Sequence, residues 1–345
     1  MARARWCGTK RKTASTCKRP FSCGASASLI DMSSELEAVE RVNADVVVPF
    51  TIEGRDVRGR IARLDEVVDD IIARHDYPDA VSALLGEALL YAALLGSMMK
   101  FEGIFTLQAS GDGPVSVVVA DYAAAAGADG SVSIGGVVRG YARYDEARLA
   151  ALGDGPFDLG MLMGQGRLVF TLDQGQYAER YQGIVELTGA SLDRAVRAYF
   201  LNSEQLPSEI IAHCAKVDDG NGPRWRAACL LIQHLPGGGK IRGDDVAEEN
   251  WQHVRALMQS VRRDEMLDPA LSLHDILYRL FHEDGVRVFA PSHVALGCRC
   301  SEDRLRLIIS SFSEEERSDM AEENVISATC EFCKTEYRFL LSEFN

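Results

Sequence analysis

The sequence predicts an α+β protein, with a mixed strand and helix core domain, a helical linker region and a small C-terminal module. Strand patterns occur in blocks with a few helices set apart from them, which is typical of this class and not of regularly alternating βαβ proteins. The stretch Leu235-Pro236-Gly237-Gly238-Gly239 breaks the pattern and marks the end of the core. Beyond the linker, four paired cysteines lie between residues 298 and 333. We therefore predict a core over 32–238, a linker over 239–297 and a module over 298–345.

The core begins with two strands and two helices. Valine-rich runs predict strands over 44–50 and 57–61. Apolar residues recur at helical spacing over 64–74, and a long apolar helix is predicted over 79–99. Its apolar run Ala88–Met99 is too short to span a bilayer, so we interpret it as a buried helix and expect no membrane partner.

The rest of the core is predicted to be mostly β-structure. Glycine-containing turns bound its strands, which are predicted at 103–109, 115–122, 136–144, 167–172 and 181–187. A helix over 191–202 follows, and strands at 207–214 and 227–234 complete the core.

The linker region carries two amphipathic helical patterns. Trp251, Val254 and Met258 lie on one helical face, and Leu277 and Phe281 lie on another. Apolar faces of this kind need a partner surface. Two interpretations stay open: ordinary docking against the core, or a metastable cover that can detach from it.

The C-terminal cysteines form two close pairs, Cys298-Arg299-Cys300 and Cys330-Glu331-Phe332-Cys333. Zinc favours four soft ligands in a tetrahedron, and paired cysteines on tight turns provide them. The CxxC spacing is usual for zinc, whereas the CxC pair is cramped and suited to an internal disulfide once metal leaves. The sequence thus predicts a zinc-binding module in which Cys298, Cys300, Cys330 and Cys333 hold one Zn²⁺ per chain. A permanently reduced structural site and a redox switch both remain open.

Charge and the remaining cysteines restrict the function further. The net charge of −14 argues against a nucleic-acid partner, because phosphate contacts need a basic face. The total of nine cysteines is odd, and those outside the module follow no disulfide rhythm. With no secretory leader recognised, these features favour a reducing, cytoplasmic interior. The scattered cysteines are Cys7, Cys17, Cys23, Cys214 and Cys229, and we expect the last two to be buried packing thiols.

The first 31 residues are basic and rich in serine, threonine and glycine, with Asp31 as their one acidic residue. Such a composition resembles an organellar transit peptide, whereas the alternative is that translation begins at Met32. We expect 1–31 to be a disordered basic extension in either case.

Motifs for other chemistry are absent from the sequence. Gly237-Gly238-Gly239-Lys240 resembles a phosphate loop, but His234 and Ile241 occupy the positions that need glycine and a magnesium-binding hydroxyl. The HExxH, GxSxG and EF-hand patterns do not occur. None of these patterns therefore points to a catalytic residue.

Several stretches together resemble the redox-regulated 33-kDa heat-shock chaperones of bacteria, from about Val46 to the C-terminus. Their order along the chain and the unusual cysteine spacing make the resemblance specific. The stretches are His75-Asp76-Tyr77-Pro78, Ser110-Gly111-Asp112-Gly113-Pro114, Arg139-Gly140-Tyr141-Ala142, Tyr181-Gln182-Gly183, Ser203-Glu204-Gln205-Leu206-Pro207 and the CxC and CxxC pairs followed by Tyr337 and Phe339.

The resemblance implies an ATP-independent holdase with no catalytic residues, not an enzyme, and its partners are unfolded or partly folded client proteins. It implies that the zinc-bound, reduced form is inactive, and that oxidation joins Cys298 to Cys300 and Cys330 to Cys333 with loss of the metal. The linker would then unfold and expose apolar surface. A monomer is implied for the reduced form and a homodimer for the oxidised form.

Two other functions remain in competition. A thiol-disulfide oxidoreductase would use Cys330 and Cys333 catalytically, although a thioredoxin-like βαβ context is missing around them. A redox-insensitive zinc-dependent adaptor would dock one fixed partner through the C-terminal module.

Overall fold

A computed structural model describes residues 44–99, 103–124, 135–174, 180–187, 189, 191–220, 222–235 and 244–344. The strands are β1 (Val46–Ile52), β2 (Val57–Leu64), β3 (Ile104–Gly111), β4 (Val115–Ala124), β5 (Gly135–Tyr144), β6 (Gly166–Asp173), β7 (Tyr181–Glu186), β8 (Ser208–Asp218), β9 (Pro223–His234), β10 (Val286–Val288), β11 (Ser292–Leu296), β12 (Val325–Thr329) and β13 (Glu336–Leu340). The helices are α1 (Glu66–Ala73), α2 (Asp79–Gly96), α3 (Glu146–Ala150), α4 (Leu159–Met163), α5 (Leu192–Tyr199), α6 (Asp244–Gln259), α7 (Arg263–Leu267), α8 (Leu273–Phe281), α9 (Glu302–Ser310) and α10 (Glu314–Met320).

One large mixed sheet organises the core. Its order is β7-β6-β3-β4-β5-β11-β1-β2-β9-β8, and β10 also pairs with β1. The pairs are antiparallel except that β11 runs parallel to β5. The mixed sheet with segregated helices confirms the predicted α+β class.

Helix α2 packs against one face of this sheet. The cluster on that face includes most of α2 together with the apolar side of α1. Among the described helices, α2 alone is long and apolar enough to cross a membrane, yet 78% of that window is buried inside the protein. Its burial agrees with its interpretation as a core helix.

The linker helices α6, α7 and α8 pack against the other face. Phe50 of β1 and Phe281 of α8 stack with ring centroids 5.8 Å apart. Trp251, Val254 and Met258 of α6 are all buried in the same cluster. The two predicted amphipathic helices are therefore docked on the core in this structure, a state that ordinary docking and a detachable cover share.

The predicted core strands and long helices are present, with small differences at their ends. The helix predicted over 191–202 ends at Tyr199, where one π-helical turn, Phe200–Glu204, follows. Two short helices, α3 and α4, escaped prediction; the side chains of Asp145 and Asp158 cap their first turns. Five residues are too few to show a helical period.

The predicted linker is tied to the core sheet at its end. Strands β10 and β11 lie within 239–297, yet β10 pairs with β1, and β11 lies between β1 and β5. The domain boundaries themselves stay a prediction. The extension 1–31, Met32 and the stretch Gly237-Gly238-Gly239-Lys240 lie outside the described residues.

Candidate metal centre

The structure brings the four predicted cysteines together. Their sulfur atoms all lie within 4.8 Å of one another. Cys298 Sγ is 3.7 Å from Cys330 Sγ, and Cys300 Sγ is 3.4 Å from Cys333 Sγ. Four sulfurs around Zn²⁺ at about 2.3 Å would be about 3.8 Å apart in a tetrahedron. The cluster can therefore hold a metal ion of this kind, and its cysteines are free thiols.

Two tight chain segments position the sulfurs. Strand β11 ends just before Cys298, and Ser301 caps α9 by accepting a hydrogen bond from Arg304 N, so the CxC pair lies between two fixed elements. The CxxC pair forms the turn of the β12–β13 hairpin, closed by a 2.9 Å bond from Cys330 N to Thr335 O. A CxxC pair in a hairpin differs from the strand-to-helix setting of thioredoxin-like enzymes, so the oxidoreductase interpretation gains no support.

The module around the sulfurs has a very small core. Its buried apolar side chains among the described residues are Ile309, Ile326 and Phe339. Domains of this size usually need a metal or disulfides as staples, because so little apolar area is buried. A metal ion held by the four sulfurs would therefore stabilise the module.

Burial and neighbouring polar groups shift the pKa values of Cys300 and Cys333 in opposite directions. Burial raises the pKa of Cys300 to about 12, against the effect of the Tyr337 hydroxyl 3.2 Å away. Burial also acts to raise the pKa of Cys333, but hydrogen bonding with Thr335, Cys300 and Cys298 lowers it to about 6. Cys333 therefore becomes a thiolate more readily than Cys300. Elsewhere, Cys214 and Cys229 are buried as predicted, and burial raises the pKa of both thiols.

Arg299, inside the CxC pair, contacts the core sheet. Its guanidinium donates to Asp121 Oδ2 at 2.6 Å. Asp121 also accepts from Arg139 at 2.7 Å and from Thr106 at 2.6 Å, and its side chain is buried. The three core residues lie directly opposite one another on β3, β4 and β5. One buried carboxylate therefore joins the CxC turn to three strands.

Phe332, inside the CxxC pair, packs on the same patch. The Arg139 guanidinium lies over its ring at 3.7 Å, and the Tyr141 ring meets it edge-on at 4.9 Å. Arg139 Nη1 is also 3.8 Å from Cys298 Sγ. A positive charge therefore faces the sulfur cluster.

Glu331 completes the contact between the CxxC turn and the core. Its carboxylate pairs with Arg143 at 2.7 Å, and its carbonyl oxygen is 2.9 Å from His75 Nε2. His75 Nδ1 faces the Ile71 carbonyl at 2.8 Å. The stretches containing His75 and Arg139 are thus part of the docking surface for the cysteine turns, whereas the Ser110–Pro114 stretch is the hairpin turn expected between β3 and β4.

Sequence reasoning missed Asp121 and Arg63. Asp121 is a single acid in the otherwise apolar strand β4, a signal that could have been used. Arg63 is a fully buried side chain on β2. It donates to Met266 O at 2.8 Å and to Leu271 O at 2.9 Å, and so holds the α7–α8 turn of the linker.

Comparisons with known proteins agree with this architecture. A family model described as Hsp33 protein matches residues 45–340. A 33 kDa chaperonin from Caulobacter vibrioides is 42% identical over 297 residues, covering 85% of this chain and 94% of the relative. One from Pseudomonas aeruginosa is 35% identical over 298 residues, covering 85% and 91%.

A solved structure shows the same fold. The crystal structure of a 33 kDa chaperonin, a heat shock protein 33 homolog from Thermotoga maritima, aligns with a TM-score of 0.69 at 23% identity, covering 87% of this chain and 96% of that one. At this identity the match supports the fold, while the family match and the more similar relatives decide the membership. The chain therefore belongs to the Hsp33 protein family of chaperones.

Proposed function

We propose that the protein is an ATP-independent holdase that zinc keeps inactive and that oxidation activates. In the reduced form Cys298, Cys300, Cys330 and Cys333 hold one Zn²⁺. The observation that carries the proposal is that the four thiols lie together against the surface of the core. The contacts with the core are made by Arg299 of the CxC pair and Phe332 of the CxxC pair. The same contacts connect the metal site to the rest of the fold.

Zinc binding would stabilise the module strongly. When bound, the ion cross-links four sulfurs, and structural zinc supplies on the order of 10–16 kcal/mol of folding free energy. The three buried side chains of the module core offer far less. Loss of the ion is therefore expected to unfold the module.

Oxidation would remove the ligands. Each thiol pair, Cys298 with Cys300 and Cys330 with Cys333, gives two electrons and two protons to one molecule of hydrogen peroxide. The products are one disulfide and two waters for each pair. Disulfide sulfurs are no longer thiolate ligands, and each disulfide closes a loop too short to replace the four-way cross-link.

The cysteine turns transmit the change to the core. Arg299 and Phe332 contact the core only while the CxC and CxxC turns keep their shape. A disulfide across either turn alters that shape and removes the negative charge that faces Arg139. The module then leaves the sheet.

Release of the linker would expose the client surface. Nine apolar residues of β1, β2 and β9 face α6, α7 and α8, and each is at most 1% exposed in the docked state. They are Val46, Val48, Phe50, Ile52, Val57, Ile61, Ala228, Leu230 and Ile232. Burial of apolar surface contributes about 25 cal/mol per Å², with no requirement for a particular client sequence.

The remaining features of the proposal follow the family resemblance. Clients are unfolded or partly folded proteins, the reduced form is a monomer, and the oxidised form dimerises. The protein acts in the cytoplasm without nucleic-acid or membrane partners.

One titration series tests the proposal. Zinc content, free thiols and suppression of client aggregation are measured on the same samples at rising peroxide. We expect about one zinc released per chain, loss of four thiols and a parallel gain in protection, all reversed by dithiothreitol with zinc. Equal protection by reduced and oxidised protein would refute the proposal. Cys298→Ser should weaken zinc binding, whereas Cys229→Ser, at a buried core thiol, should not.

A further inference from the structure

Strand β11 occupies an unusual place in the sheet. It belongs to the segment directly before Cys298, yet it lies between β5 and β1 and joins the two halves of the core sheet. Without it, the sheet has two additional edges in its middle. The segment most directly attached to the metal site is therefore also the segment that closes the sheet.

Strand β11 pairs unequally with its two neighbours. It pairs with β5 over four residues, from His293 opposite Gly135 to Leu296 opposite Val138. It pairs with β1 at two positions, and Val294 N donates to Asp45 O at 2.7 Å. The pairing with β1 at two positions is therefore the weaker of the two, because each backbone hydrogen bond adds little net free energy.

The slot is shaped for a backbone. A Cβ atom at Gly135 would lie 2.5 Å from His293 O, so this glycine lets β11 approach β5 closely. Val294 is buried against the α2 side, whereas His293 and Ala295 are exposed. An occupant therefore needs an extended backbone and an apolar side chain at alternate positions, and little else.

We propose that oxidation empties this slot and that a client segment enters it as an added β-strand between β5 and β1. The proposal rests on the proposed function, because it assumes that module release pulls β11 out. Backbone hydrogen bonds then hold the client, and the apolar slot selects alternate apolar residues, as in other cases of strand addition. Unfolding proteins expose such segments, whereas folded proteins mostly cover or blunt them.

The outer edges of the sheet would not be opened or closed by movement of β11. β7 and β8 end the sheet, and no described strand pairs with their outer edges whether or not β11 is in place. The slot, in contrast, is filled whenever β11 is in place. A site that is covered in the reduced protein and open in the oxidised one matches a chaperone that is switched.

Hydrogen exchange on the full chain tests the proposal. We expect oxidation to speed amide exchange in 135–138 and 45–47, and saturation with an unfolded client to restore the slow exchange of the reduced protein. Unchanged exchange on oxidation, or exchange that stays fast with client bound, would overturn strand addition. If clients are still protected in that experiment, the proposed function stands; if oxidised protein protects no client, the proposed function fails.

A peptide experiment tests the pairing itself. A fluorescent peptide with the sequence of residues 290–297 should bind oxidised protein at least about tenfold more tightly than reduced protein, and should compete with client. A matched peptide with Val294→Pro lacks the N–H that bonds to Asp45 O and should bind at least about tenfold more weakly. Equal binding of the two peptides would show attraction by side chains alone and would contradict the proposal.

Discussion

Substitution of Phe281 by alanine should activate the chaperone without oxidation. Phe281 lies on linker helix α8, is fully buried, and stacks on Phe50 of β1. Truncation of a buried phenylalanine typically costs about 3–5 kcal/mol. Because the lost contacts join the linker to the core, this free energy is removed from linker docking. At about 1.4 kcal/mol per tenfold, the docked-to-open ratio falls by about two to three and a half powers of ten.

The assay compares reduced proteins that still contain zinc. In dithiothreitol, the F281A protein should suppress aggregation of a thermally unfolding client, and the amides of α6 and α8 should exchange faster. Zinc content should stay at about one per chain, because Phe281 contacts the sheet and not the cysteine turns. Activity would then result from linker release alone.

A matched variant separates this effect from general destabilisation. Phe105 on β3 is equally buried and stacks on Phe170, but it lies in the α2-side cluster. Phe105→Ala should lower the melting temperature and leave the reduced protein inactive. If reduced F281A has an open linker and yet protects no client, the covered sheet face is not the client surface. If F105A activates the reduced protein equally, the cause of activation is general destabilisation and not release of the linker.

Three further predictions concern the module and the core. Asp121→Asn leaves Arg139 and Arg299 without their shared anion and should weaken zinc binding about 10–100-fold in a competition assay. The control Asp173→Asn, at an exposed ion pair, should leave zinc affinity unchanged. Unchanged affinity in Asp121→Asn would contradict a role for the core in shaping the site. Removal of zinc by a chelator in reductant should speed amide hydrogen exchange throughout 298–344 and leave the amides of α2 protected. If the amides of the module stay protected, its stability does not depend on the ion. Burial raises the pKa of Glu87 from 4.5 to about 7, so the folded state binds the carboxyl proton more tightly than the unfolded state does. The ionised carboxylate therefore destabilises the fold increasingly as the pH rises from about 4.5 to about 7. Glu87→Gln should therefore melt at a higher temperature than the parent at about pH 8 and at a similar temperature at about pH 4; a difference of the same size at both values would exclude this cause.

The sequence by itself determined the parts of the site that depend on residue type and spacing. Cys298, Cys300, Cys330 and Cys333 carry their chemistry in two local pairs, and the sulfur cluster follows from them once the chain folds back. The core strands and α2 were equally predictable, because apolar periods report on the face that each element buries. The apolar faces of α6 and α8 showed that these helices need a partner surface. The sequence did not show which surface of the core it is.

Tertiary structure decided how these parts are connected. Arg299 and Asp121 are 178 residues apart in sequence, and Arg63 reaches backbone carbonyls 203 and 208 residues away. Carbonyl acceptors exist at every residue and leave no mark in the sequence. The place of β11 beside β5 depends on the parallel register of two distant strands, which a five-residue pattern is too short to specify. The contacts that join the cysteine turns and the linker to the sheet therefore appear only when the chain is folded, because they connect segments that share no local signal.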